Sequence, residues 1–221
     1  NGTELARLRA LRHHIVDVPL SSRASASAAS SSSAASSSST SASSVPVVRF
    51  LVMDACVEPA PTRHFFGELH EEDLNRIDEL LRSPSTQGEV QHVFVLAHFP
   101  FNTIVTDTTS DGRSLVDVYD AHHVLAALSG HLHQLPWGER FENAGNELFA
   151  RLGRGTLELE VSDFKGHRVF RAGARDRGGF SFVDTKLDAA SLAAPWPLVV
   201  PHNPKDARFL SPYEAHGRLH T

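Results

Sequence analysis

Apolar residues recur along the chain in more than one rhythm, and each change of rhythm marks a new element. Leu5, Leu8, Leu11 and Ile15 recur at spacings of three and four, which predicts a short amphipathic helix within residues 4–18. Val45 to Asp54 is instead a mostly apolar run of strand length, the pattern of a strand covered on both faces. Glu68 to Asp73 then open a helix, Leu74, Ile77, Leu80 and Leu81 form its buried stripe, and Arg82 closes it. Its charges suit the helix dipole at both ends. Ser83 to Gly88 terminates it, and Val93 to Ala97 supplies a second buried strand. Strand, helix and strand in that order predict a parallel crossover. Ser114 to His123 reads as a helix with Leu115, Val118 and Tyr119 inward, and Val124 to Leu128 as a short strand. Beyond this the period becomes two: Leu157, Leu159 and Val161 alternate with Glu158 and Glu160. Val169 to Ala172 and Phe180 to Val183 follow Gly-containing turns, so three short strands predict an antiparallel meander. The Pro-rich stretch from Pro195 to Pro212 reads as a linker.

One segment has no rhythm. Ser21 to Ser44 holds 15 Ser and 7 Ala in 24 residues, with no large apolar side chain to offset the entropy of ordering, and is expected to be a disordered insert. The expected organisation is therefore a short helical segment over 1–20, the insert over 21–44, a folded part over 45–206 and a tail over 207–221. At 221 residues, 41% hydrophobic and 21% charged, the chain is large enough for one globular core. A formal charge of −5 gives no support to a nucleic-acid partner. The lone cysteine, Cys56, excludes an intrachain disulfide framework and a Cys-rich zinc site, and is expected to be a small core residue. No apolar run reaches the roughly twenty residues of a membrane helix. The chain opens at Asn1-Gly2-Thr3 without an initiator Met, so a piece of a longer protein is expected.

Candidate chemistry concentrates at two strand ends. His98 in Leu96-Ala97-His98-Phe99-Pro100 closes the second buried strand, and Gly130-His131-Leu132-His133 follows the third. Imidazole is the commonest ligand for borderline-soft transition ions, and a His-x-His pair in extended backbone can turn both rings toward one cavity. Gly130 is read as allowing close backbone approach. In a chain with 14 His and 14 Gly the tetrad alone is weak, but strand ends are where open α/β sheets keep their sites. The adjacent pairs His13-His14 and His122-His123 make poor clamps, since neighbouring helical side chains diverge by about 100°. His13 and His14 are read as a solvated helix end. Asp107 and Asp111 are read as solvated loop carboxylates.

These strand-end histidines, about thirty residues apart, resemble the carboxyl half of a calcineurin-like metallophosphoesterase domain, and within that superfamily the transmembrane protein 62 branch. The resemblance also rests on Met53-Asp54-Ala55, on Pro59 to Gly67 ending in Phe65-Phe66-Gly67, and on Leu128 to Leu132. Further along it rests on Gly155 to Val161 with Asp163, on Phe180-Ser181-Phe182 and on Asn203-Pro204-Lys205, spanning roughly residues 47–206 in order. It implies an α/β fold, a partial phosphoesterase β-sandwich flanked by helices and ending in the meander. It also implies a hydrolase that uses two divalent metal ions (Mn, Fe or Zn) to activate a water against a phosphate-ester substrate. His98 and His131 would ligate one ion and His133 the other. No catalytic residue is assigned, and the membrane would be reached only through regions outside this chain. The family's Asp-x-His, Gly-Asp-x-x-Asp and Gly-Asn-His motifs do not occur in residues 1–47, so this chain alone is expected to be inactive. Two alternatives stand beside this reading: an inactive scaffolding module that kept the fold, and an unrelated β-rich domain with one His-ligated zinc.

The Ser/Ala segment carries its own test. Limited proteolysis should cut within Ser21 to Ser44 first, and deleting the segment should leave the melting temperature unchanged; a protected segment contradicts the reading.

Overall fold

The computed structural model describes residues 12–20, 45–57, 65–132, 148–166, 168–176, 178–187 and 198–214. Its strands are β1 (His14–Pro19), β2 (Pro46–Met53), β3 (Gly67–Leu69), β4 (Glu89–Ala97), β5 (Ile104–Thr106), β6 (Val124–Ser129), β7 (Leu148–Leu152), β8 (Thr156–Glu160), β9 (Val169–Asp176) and β10 (Gly179–Lys186). Its helices are α1 (Glu71–Arg82) and α2 (Leu115–Ala121). Six strands form one mixed sheet in the order β1-β2-β4-β6-β8-β7. Within it β2, β4, β6 and β8 are parallel, and β1 and β7 add antiparallel edges. β3 pairs with β5, and β9 with β10, outside that sheet.

The near-continuous apolar runs give the central strands two buried faces. On one face, Leu51 and Met53 of β2 and Val93 and Val95 of β4 pack with Leu74 and Ile77 of α1 and with Leu115, Val118 and Tyr119 of α2. On the other, Val48, Phe94, Leu125, Leu157 and Leu159 pack with Phe180 of β10 and with Phe209. Each such side chain contributes roughly 1.5–3 kcal/mol when fully buried. Both helices begin where the sequence provides acceptors. Asp73 takes the His70 N–H at 3.0 Å, and Ser114 with Asp117 closes a capping box on α2.

Arg49 is a charge inside the apolar run of β2, and it is almost fully buried. Its guanidinium forks onto both carboxylate oxygens of Asp17 in β1 at 2.8 Å, and also donates to the Leu81 and Ser83 carbonyls at 3.1 and 2.6 Å. One side chain thus ties the edge strand to the centre of the sheet and caps the carboxyl end of α1. The Arg49 hydrogen bonds hold the Asp17 carboxyl below its ordinary range. Asp78 plays the matching role at the helix pair. It accepts from Arg113 at 2.8 Å, from Arg82 at 2.5 Å and pairs with His122 at 2.7 Å.

Several expectations change here. Residues 14–19 are a strand, not part of a helix, because Ile15, Val16 and Val18 are β-branched and the segment pairs along β2, with Ile15 and Asp17 on its inner face; residues 1–11 lie outside the described residues. His13 is buried between Asp73 and the Asp54 N–H rather than solvated. The meander dissolves: β8 joins the main sheet beside β6, and only β9 and β10 form a separate hairpin. Glu158 and Glu160, the polar positions of that alternation, are buried and accept from main-chain N–H groups of the segments that follow β4 and β6. The tail packs back as far as it is described. Phe209 enters the second core, Ser211 donates to the Gly155 carbonyl at 3.0 Å, and Tyr213 donates to Asp120 at 2.7 Å. Cys56 is exposed, just past the end of β2. The Ser/Ala segment lies outside the described residues.

Asp78 gives a pH-dependent test of this packing. The hydrogen bonds from Arg113 depress its pKa to about 2, against about 3.9 when unfolded. The stabilisation is therefore present above about pH 4 and is lost as pH falls through 2. Asp78→Asn should lower unfolding free energy at pH 7 by about 1–3 kcal/mol, as expected for a buried, hydrogen-bonded charge. In urea titrations the gap between the two proteins should narrow between pH 4 and 2; a constant gap contradicts the assignment.

Candidate metal centre

β4 and β6 are parallel neighbours, paired with Leu96 opposite Leu128, so the segments that leave their carboxyl ends emerge side by side. His98 lies one residue past β4 and His131 two residues past β6. The main chains are joined where they diverge, the Gly130 N–H donating to the His98 carbonyl at 3.2 Å. The rings meet in turn: His131 Nδ1 lies 3.0 Å from His98 Nε2, with ring centroids 4.9 Å apart and planes at 75°.

The other His131 nitrogen fixes how this contact is protonated. Nε2 lies 2.9 Å from the carbonyl oxygen of Phe65, and a carbonyl only accepts, so Nε2 carries the proton in the neutral ring. Nδ1 is then the acceptor, and His98 Nε2–H donates to it. The Phe65 carbonyl is delivered by a glycine. A Cβ at Gly67 would stand 2.8 Å from the Phe99 ring and 2.9 Å from the Ala55 carbonyl, so only glycine lets β3 begin this close to β2 and to the segment after β4. Phe99 and Phe65 flank the His131 ring at centroid distances of 4.6 and 5.3 Å. His131 itself has φ of 84°, a left-handed conformation costly for a residue with a side chain, and such strain concentrates at functional sites.

The pair opens onto a cavity of about 1020 Å³ between the sheet and the β9–β10 hairpin. Its walls include Phe50, Phe94, Leu128 and Phe180, with Lys165 and Arg171 also on the lining. Arg171 is held by Asp184 at 2.6 Å and lies 4.5 Å over the Phe182 ring.

Of the three histidines singled out by sequence, His98 and His131 are brought together, and His133 lies outside the described residues. A Cβ at Gly130 would meet no protein atom within 4 Å, and the residue lines the cavity. The adjacent pairs separate as expected, His122 going to Asp78 and His123 stacking on Tyr213 at 5.2 Å. Asp111 pairs with Arg113, and Asp107 lies 3.4 Å from His70. Among the described residues no group of three His, Cys, Asp or Glu is placed to hold a metal ion. The Phe65 carbonyl was not legible in sequence, because a main-chain acceptor leaves no mark on residue type.

Comparison with known proteins adds the family. Over 158 residues, 71% of this chain, it is 32% identical to mouse transmembrane protein 62, covering 21% of that protein. Over 175 residues it is 28% identical to an Arabidopsis thaliana protein named "Putative metallophosphoesterase", covering 23% of it. The chain belongs to a metallophosphoesterase-like family close to transmembrane protein 62. It spans about a fifth of the length of these two curated relatives. No protein-family model matches it. Among the described residues no helix is long and apolar enough to cross a membrane.

Proposed function

We propose that this chain is the carboxyl-terminal part of a metal-dependent phosphoesterase domain, with His98 and His131 as ligands to one divalent ion and His133 as a ligand to a second. The observation that carries the reading is the 3.0 Å between His131 Nδ1 and His98 Nε2. Two imidazoles bound to one ion at about 2.0–2.1 Å, and subtending 90–109° at it, hold their nitrogens about 2.9–3.4 Å apart. The pair already stands at that span. The bond from His131 Nε2–H to the Phe65 carbonyl is the outer-shell contact that orients a ligating imidazole and fixes its tautomer. These two residues fit one edge of a metal site and no more.

When bound, a pair of such ions lowers the pKa of a bridging water and neutralises charge on a phosphoryl group. The chain's own part is positional. His131 is held by Phe65, Phe99 and its left-handed backbone, and presents Nδ1 toward His98. For both nitrogens to serve as ligands, His98 would have to carry its proton on Nδ1 instead of Nε2, both rings staying neutral. The name of the mouse relative supports a membrane-associated protein.

With a generic aryl phosphate and manganese, the 221-residue chain should show no turnover, because two or three histidines without a bridging carboxylate cannot hold two cations together. A longer chain carrying the Asp-x-His, Gly-Asp-x-x-Asp and Gly-Asn-His motifs should hydrolyse it, and His131→Ala should abolish that activity while His14→Ala leaves it unchanged. Turnover by the short chain that disappears in His131→Ala contradicts the need for further ligands. No turnover by the longer chain favours the scaffolding module.

A further inference from the structure

β8 carries two buried carboxylates on one face, Glu158 and Glu160, two residues apart and therefore on the same side of the pleat. Their strand neighbours Leu157 and Leu159 belong to the opposite core. Each carboxylate reaches past its own strand to a main-chain N–H in a segment that carries one of the histidines. Glu158 Oε1 accepts from Phe101, three residues beyond His98, and Glu160 Oε1 accepts from Leu132 at 2.6 Å, one residue beyond His131. Burial raises the Glu158 carboxyl above its ordinary range. A buried carboxyl group that adds nothing to the apolar core is costly to keep.

We propose that Glu158 and Glu160 are the positioning residues of the histidine pair: one strand supplies two acceptors, each pinning one of the two segments, and together they set the separation of the His98 and His131 rings. The arrangement works because β8 pairs directly with β6, placing Glu160 opposite Ser129 and Glu158 opposite Ala127, just short of the turn into His131. From that position Glu160 reaches the segment after β6, whereas Glu158 reaches the segment after β4. Pro100, next to Phe101, stiffens the stretch that Glu158 holds, so fixing the Phe101 N–H also restricts His98. Gly130 N–H to the His98 carbonyl closes the loop between the two pinned segments. The Leu132 N–H is shared between the Gly130 carbonyl, at 3.2 Å across His131, and Glu160, so the Glu160 bond reinforces the turn that holds His131 in its left-handed conformation.

The proposal takes His98 and His131 as the site, as argued above, but its readout needs no metal. In the 221-residue chain, long-range proton–nitrogen spectra of the imidazoles should show His131 in the Nε2–H form with Nδ1 accepting. Glu160→Ala should release this, shifting the His131 ring nitrogens toward tautomeric averaging. Glu160→Gln, which keeps a carbonyl acceptor at the same reach, should restore the wild-type pattern. Glu160→Asp, one methylene shorter, gives the same reading should the alanine variant fail to fold. Glu158→Ala should perturb His98 more than His131. In parallel, affinity for cobalt should fall about 10–100-fold in Glu160→Ala and recover in Glu160→Gln. Ring signals unchanged in folded Glu160→Ala or Glu160→Asp overturn the proposal. Ring signals that respond while no variant, wild type included, binds cobalt leave the clamp standing and overturn the metal reading instead.

Discussion

Parallel pairing of β4 with β6 is the constraint on which everything at the candidate site depends. Two parallel neighbours end on the same side of a sheet, so whatever follows them is brought together whatever its sequence distance, here 33 residues from His98 to His131. The pairing itself is secured on both faces, by the helices through Val93 and Val95 and by the β9–β10 side through Phe94, Leu125 and Phe180. A one-residue slip of β6 against β4 would exchange those faces and move the His131 segment away from its partner. The register is therefore fixed by burial rather than by the histidines.

Around that junction several buried polar groups join elements that the apolar cores leave free to slide. Arg49 fastens β1 and the end of α1 to β2. Asp78 fastens α1 to the segment before α2 and to its carboxyl end. Glu158 and Glu160 are the same device applied where two segments must stay at a fixed distance. Buried ion pairs add little net stability but penalise alternative arrangements that leave a charge alone, which suits a region whose geometry matters more than its stability.

Most of the central sheet was legible, because β2, β4 and β6 are long apolar runs and α1 has an unmistakable stripe from Leu74 to Leu81. The edges were not. β1 is short, and its Ile15 also fitted a helical spacing with leucines outside the described residues; only pairing along β2 decides its conformation. The alternation at 157–161 correctly implied a strand with two unlike faces, but period alone does not say which sheet receives it, and glutamates on its polar face pointed away from burial. The meeting of His98 with His131 was legible because residue type and strand-end position coincide. The Phe65 carbonyl, the left-handed His131 and the Gly67 contact were not, since main-chain groups and backbone angles leave only indirect traces in sequence.

The central claim is that the 3.0 Å gap between His131 Nδ1 and His98 Nε2 is one edge of a metal site. Crystals grown with zinc and measured on either side of the zinc absorption edge test it most directly. The account predicts an anomalous peak about 2.0–2.1 Å from both of those nitrogens, with the His131 Nε2–H still on the Phe65 carbonyl. A peak bound to neither ring, or zinc held only by His13, His122 or another histidine while the His98–His131 hydrogen bond persists, would contradict it.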